Sequence, residues 1–288
     1  MKFTKMHGLG NDYVYMNGFE YPEAINNAET FAKYFSLSHI GIGSDGVIFI
    51  LPAKDYKNDF QMRIFNSDGS EGKMCGNGIR CVGKYVYDYG LTTSKKLRIE
   101  TLSGVKKLTL FTDEDNQVKS VEVNMGKPQI KELASLNILG RLIKGYRVSV
   151  GNPHFVVLPN QVSPLEVNDF GKALEEDPYF APERTNVEFI ESTKSKNTLR
   201  VRVWERGSGR TMACGTGACA SFAVSNHIKM VSNRANVILD GGKLSVGYDD
   251  SGNILMTGPA TSVFTGEITD KQLKQIIHTQ QVVEKIRD

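Results

Sequence analysis

No stretch of about 18 uncharged apolar residues occurs in the chain, and no apolar segment follows Met1-Lys2-Phe3-Thr4-Lys5-Met6-His7, so neither a membrane span nor a secretory leader is expected. Neither sign of charge is in excess. Against 35 Lys and Arg stand 32 Asp and Glu, with no basic run and no interleaving of Arg with aromatics, so nucleic acid is not an expected partner. Cysteine is scarce too, and four thiols in 288 residues without a leader argue for reduced cysteines in a cytoplasmic protein over a disulfide scaffold. No Gly-Lys pair is followed by Ser or Thr, which removes a P-loop, and the five histidines show no metal-ligand spacing. Gly41-Ile42-Gly43-Ser44-Asp45-Gly46 matches a dinucleotide fingerprint only as text, because a helical pattern precedes it and a strand follows.

What is present is ordinary globular material, 40% hydrophobic and 23% charged, in a chain long enough for about two domains. Short segments rich in Val, Ile and Phe read as strands over 12–17, 47–52, 60–66, 96–101, 105–111 and 118–125. Helical spacing covers 22–35 and 77–89. The order then returns: strands near 146–150 and 155–159, a helix near 165–176, strands over 186–191 and 199–205, and a helix from Gly215. Short strands over 236–265 and an amphipathic helix over 270–286 complete the chain.

The return is visible in the residues themselves. Met62-Arg63-Ile64-Phe65-Asn66 lines up with Val201-Arg202-Val203-Trp204-Glu205, and Cys75-Gly76-Asn77-Gly78 with Cys214-Gly215-Thr216-Gly217, at one shift, 214 − 75 = 139. Gly10-Asn11-Asp12-Tyr13 likewise resembles Gly151-Asn152-Pro153-His154 at 151 − 10 = 141. A duplicated domain follows, with halves over 1–127 and 128–265, the segment 266–288 free to pack back on the first half, and a cleft expected between the copies. Many consecutive strands with few helices point to an α+β fold of two pseudo-symmetric domains, each a mostly antiparallel sheet curled around the helix that follows its cysteine.

In both halves a cysteine precedes Gly-x-Gly and a helical pattern, which puts the thiol at a helix N-terminus and is expected to lower its pKa from about 8.5 toward neutrality. The glycines leave the main-chain N–H groups open to a carboxylate. Two such thiols in paired halves fit inversion of a stereocentre, one sulfur removing an α-proton while the other delivers a proton to the opposite face. Cys81 and Cys219, inside the helices, read as packing residues. A four-cysteine zinc site is disfavoured because Cys75 to Cys81 and Cys214 to Cys219 are wider than common ligand spacings. A zinc or redox sensor is the non-enzymatic alternative.

The blocks Met6-His7-Gly8-Leu9-Gly10-Asn11-Asp12, Phe65-Asn66-Ser67-Asp68-Gly69-Ser70-Glu71, Met74-Cys75-Gly76-Asn77-Gly78-Ile79-Arg80-Cys81, Gly151-Asn152-Pro153-His154 and Trp204-Glu205-Arg206-Gly207-Ser208-Gly209 with Thr211-Met212-Ala213-Cys214-Gly215-Thr216-Gly217 together resemble diaminopimelate epimerases over almost the whole chain. The resemblance implies that family's fold and the conversion of LL- to meso-diaminopimelate, for lysine and peptidoglycan precursors, with no cofactor and no metal. It implies Cys75 and Cys214 as the acid/base pair, with His154 and Glu205 in support. Asn11, Asn66, Gly76, Asn77, Asn152, Asn186, Glu205, Arg206, Gly215 and Thr216 are implied as substrate contacts. Gly46 departs from the pattern, standing where some members carry a polar side chain that meets the ligand. Proline racemase-like enzymes, which also use two cysteines, and phenazine-biosynthesis-like isomerases, which lack the cysteine pair, are the nearest competitors. The expected partner is a small molecule, with no nucleic acid and no membrane; a homodimer is left open.

Overall fold

The computed structural model describes residues 1–276 and 278. The chain divides into two compact units, one built from Met1–Val121 and the described residues from Ala260 onward, the other from Glu122–Pro259.

In the first unit the strands are β1 (Lys2–Gly8), β2 (Asn11–Asn17), β3 (Gly46–Pro52), β4 (Phe60–Asn66), the short β5 (Glu71–Gly72), β6 (Lys96–Glu100) and β7 (Lys106–Thr112), with β8 (Val118–Gly126) running on past the unit's boundary. Two α-helices, α1 (Ala28–Phe35) and α2 (Gly76–Asp88), lie between them. The expected helix over 22–35 is split: Pro22 starts a 3-10 turn, Pro22–Asn27, and α1 begins only at Ala28. Antiparallel pairs β1/β2, β3/β4 and β6/β7 are joined by the parallel pairs β2/β3 and β4/β6.

The second unit repeats this order with β9 (Gln129–Ile138), β10 (Arg141–Ser149), β11 (Pro153–Val157), α3 (Val167–Glu175), β12 (Asn186–Ser192), β13 (Thr198–Glu205), β14 (Gly209–Thr211), α4 (Gly215–His227), β15 (Arg234–Leu239), β16 (Gly242–Tyr248) and β17 (Ile254–Pro259). Its parallel pairs are β11/β12 and β13/β15, the counterparts of β2/β3 and β4/β6. β9, which the sequence pattern did not disclose, pairs with β10. Its counterpart in the first unit comes from the far end of the chain: β18 (Thr261–Glu267) pairs antiparallel with β1. Beyond it residues 270–276 and 278 are helical, and the rest of the helix expected over 270–286 lies outside the described residues.

Side-chain alternation sorts each sheet into two faces. Val14, Met16, Val47 and Phe49 join Phe31 and Phe35 of α1 in one apolar cluster, to which Ile268 and Ile276 also belong. Phe155, Val187 and Phe189 do the same with Phe170 and Leu174 of α3. The intervening residues face the other helix of the unit: Tyr15 donates to Gly78 O of α2 at 3.2 Å, and Ile48 lies against Gly78. Helix α4, rich in Ala, Ser and Gly, is buried nearly along its length and touches β10–β13 and β15–β17, so the second sheet wraps it. Its buried side chains are all uncharged, and Phe222 is the only aromatic among them.

Candidate active site

Both Cys75 and Cys214 are the residues that cap the N-terminus of a buried helix. Their backbones are extended (φ −129°, ψ 120° and φ −114°, ψ 114°), and each sulfur accepts the N–H three residues on, from Gly78 at 3.3 Å and from Gly217 at 3.4 Å. Sulfur here takes the place that a Ser or Asp oxygen fills in an ordinary cap.

Around Cys75 the structure gathers Asn11 and Asn77. Cys75 donates its S–H to Asn11 Oδ1 at 3.3 Å, which also receives Asn77 Nδ2 at 3.4 Å. The amide of Asn11 is oriented from behind, its Nδ2 donating to Asp45 Oδ2 at 2.8 Å. Arg80, buried completely within α2, donates to Gly76 O and to Asn77 Oδ1, each at 3.0 Å, and so fixes the loop that carries the cysteine. Asn66, at the end of β4, donates to Ser70 Oγ at 3.1 Å.

Around Cys214 the surroundings are more acidic and drier. His154 is fully buried with Nδ1 2.7 Å from Glu188 Oε1 and Nε2 3.1 Å from Asn152 Oδ1; Asn152 Nδ2 donates to Thr216 Oγ1 at 3.3 Å, and that hydroxyl is 3.4 Å from Cys214 Sγ. Glu205 accepts from Thr211 Oγ1 at 2.5 Å and hydrogen-bonds Cys214; burial nevertheless pushes its carboxyl above the usual range. Cys214 itself is pushed well above the ordinary thiol value, first by burial and then by the charges of Glu205 and Glu188, against the lowering from Thr216 and the Gly217 N–H. The fall toward neutrality expected from a helix N-terminus is therefore reversed at Cys214, because desolvation and two carboxylates outweigh one amide.

Asn186 and Arg206 meet through the main chain. Asn186 Nδ2 donates to Pro153 O at 3.1 Å and its Oδ1 accepts the Arg206 N–H at 2.9 Å, while the exposed Arg206 guanidinium donates to Glu183 O. The turn bearing Arg206 is pinned by Glu175, which accepts from Gly207 N at 2.9 Å and from Trp204 Nε1 at 2.7 Å. A cavity of about 380 Å³ opens beside Asn152 and His154, with Arg147 and Arg184 in its wall. Gly46 has no room for a side chain: a Cβ would sit 2.0 Å from Phe65 O.

Arg80, Glu175 and Glu188 escaped the sequence reading. Arg80 lies inside a quoted motif, and Glu188 was visible as the only charged residue within the run Asn186-Val187-Glu188-Phe189-Ile190. Glu175 had no such signal.

Solved structures of the same fold include a phenazine biosynthesis protein of Bacillus anthracis, 18% identical with a TM-score of 0.69 over 93% of this chain and 99% of that one. A probable proline racemase of Agrobacterium radiobacter is 17% identical, with a TM-score of 0.73 over 93% of each chain. The model of the family described as diaminopimelate epimerase matches residues 3–131 and 146–263. Proteins named diaminopimelate epimerase share 45% identity in Acetivibrio thermocellus, over 95% of this chain and 100% of the relative. The one from Bacteroides thetaiotaomicron shares 47%, over 93% and 98%. The chain is thus an isomerase of the epimerase class. It belongs to the diaminopimelate epimerase family.

Proposed function

We propose that this enzyme interconverts LL- and meso-2,6-diaminopimelate by inverting one α-carbon, with Cys75 and Cys214 as the acid/base pair and no cofactor, in the supply of lysine and peptidoglycan precursors. The observation that carries the reading is the repeated cap: in each unit a cysteine sulfur sits on the first turn of a buried helix, preceding Gly76-Asn77 or Gly215-Thr216. One sulfur, as thiolate, takes the α-proton; the other, as thiol, returns a proton to the opposite face. Charge developing on the α-carboxylate is stabilised by main-chain N–H groups at the two helix starts. The raised thiol of Cys214 suits it to begin as the proton donor. His154 and Glu205 act on the environment of the sulfurs. Asn11, Asn66, Asn77, Asn152, Asn186 and Thr216 supply amide and hydroxyl contacts, and Arg206 supplies a planar fork for a carboxylate. A cytoplasmic location fits a reaction on reduced thiols.

The test is proton NMR of LL-diaminopimelate in D₂O with reduced protein, comparing wild type with Cys75→Ala and Cys214→Ala. Formation of the meso isomer with deuterium at the inverted carbon, abolished in both variants, is the expected result. A folded, reduced wild type that exchanges no α-proton removes this substrate from consideration.

A further inference from the structure

We infer that Glu188 is a positioning residue for Cys214: it holds His154 so that a directed chain of hydrogen bonds, His154 to Asn152 to Thr216, leaves the Thr216 hydroxyl proton pointing at the Cys214 sulfur. Glu188 and His154 are both wholly shielded from solvent, and Glu188 Oε2 has no hydrogen-bond partner among the described residues, so the imidazole is the sole hydrogen-bonding neighbour of that carboxylate. A carboxylate so buried is retained only when paired.

The direction of the chain follows from the atoms. His154 Nε2 faces an acceptor, Asn152 Oδ1, at 3.1 Å and therefore carries a hydrogen. His154 Nδ1 faces Glu188 Oε1 at 2.7 Å, so one further proton lies between those two, whichever atom owns it. With Oδ1 occupied, Asn152 presents Nδ2 to Thr216 Oγ1 at 3.3 Å. That oxygen accepts, and we take its own hydrogen to turn to Sγ at 3.4 Å, since the thiol's hydrogen has the Glu205 carboxylate as its acceptor. In the first unit the equivalent amide is turned the other way: Asp45 takes Asn11 Nδ2, so Oδ1 faces the sulfur and receives the Cys75 S–H. One sulfur is therefore set to donate into its asparagine and the other to receive from its hydroxyl. Burial and the carboxylates of Glu205 and Glu188 raise the Cys214 thiol; the proton that Glu188 shares with His154 offsets its own part of that rise, so that loss of Glu188 is felt at the sulfur through this chain, while the Glu205 charge stays in place.

The proposal deepens the role assigned above to Cys214 but is read from the sulfur itself, so its failure is distinguishable from absence of epimerase activity, which is assayed separately on diaminopimelate. The measurement is the pH dependence of iodoacetamide alkylation, resolved by peptide mass spectrometry, with Cys75 of the same molecules as internal control. In Glu188→Met the Cys214 titration moves up by about one pH unit, roughly tenfold slower alkylation at a fixed pH below it, from loss of one oriented hydrogen bond to a thiolate. Thr216→Val gives the same shift, Thr216→Ser restores the wild-type curve, and the double variant Glu188→Met/Thr216→Val shifts no further. Glu188→Gln stays near wild type, since its amide N–H donates to Nδ1 and leaves the hydrogen on Nε2. A downward shift in either Glu188 variant would show a bare charge at work and overturn the inference, as would additive shifts in the double variant or none at all in Glu188→Met. Should Met at 188 prevent folding, the Gln variant and the Thr216 pair decide by the same signs.

Discussion

Ile48 and Glu188 hold the same station under the first turns of two equivalent helices. Val47 pairs with Phe65 and Val187 with Trp204, residues that correspond in the duplicated halves, so the next positions along, Ile48 and Glu188, correspond as well. A Cβ on Gly78 would lie 2.6 Å from Ile48 Cδ1; one on Gly217 would lie 2.7 Å from Glu188 Oε1. Duplication preserved the packing and changed its chemistry on one side only.

Adding that methyl group therefore has unequal consequences. Gly78→Ala displaces the end of an apolar side chain, an overpacking cost of about 1–2 kcal/mol. Gly217→Ala drives the Glu188 carboxylate off His154 and costs about 2–4 kcal/mol, with slower Cys214 alkylation. Urea midpoints of the two variants compare the costs; equal values would count against distinct roles for the two stations.

Gly46→Gln is expected to destabilise the protein by about 2–4 kcal/mol, because its Cβ starts 2.0 Å from Phe65 O and the backbone of β3 must move. Thermal denaturation measures this. An unchanged melting temperature would mean the strand end yields freely.

The raised carboxyl of Glu205 makes a pH-dependent stability prediction. A group whose pKa is higher in the fold than in the unfolded chain contributes its stabilisation below the ordinary value of 4.5 and loses it as pH rises through the folded value. Glu205→Gln, neutral throughout, is therefore expected to melt higher than wild type at pH 8 and to lose that advantage near pH 4. It should also bring the Cys214 titration down, since the Glu205 charge is the second cause of its rise. Melting curves across pH and the alkylation profile check the two signs.

Glu175 offers a test away from the thiols. Glu175→Ala removes the acceptor of Trp204 Nε1 and Gly207 N and should cost about 2–3 kcal/mol through unpaired donors. Because the turn it pins carries Arg206, KM for diaminopimelate should rise more than kcat falls. Trp204 is the single tryptophan, so its fluorescence reports the local change directly. An altered spectrum with an unchanged KM would separate this turn from substrate binding.

Cys81 is fully buried and its thiol is pushed up to about 11 by desolvation, so it should resist iodoacetamide at pH 8 in the folded protein while the partly exposed Cys75 reacts. Peptide mapping before and after denaturation tests the contrast.

How much of this was legible follows the physics of each element. The duplication and the strands that carry Asn66 and Glu205 announced themselves, because apolar periodicity and glycine spacing are local signals. β9 did not: its burial alternates poorly, with Lys131, Glu132 and Leu133 all exposed, and its pairing with β10 is what makes it a strand. The high thiol of Cys214 was hidden for the same reason, since its causes, burial first and then the carboxylates of Glu205 and Glu188, are supplied by other parts of the chain. A cap can be read from four consecutive residues; the electrostatics around it cannot.

One consequence of the pairing of β18 with β1 concerns the order in which the protein is made. Glu122–Pro259 leaves the ribosome with every one of its strands in sequence, whereas the unit begun at Met1 waits for residues 261–267 before β1 gains its outer neighbour. The half that is started first is thus finished last. A truncation just after Pro259 exposes the hydrogen-bonding edge of the chain's very first strand and leaves the nearer, second unit with its full set.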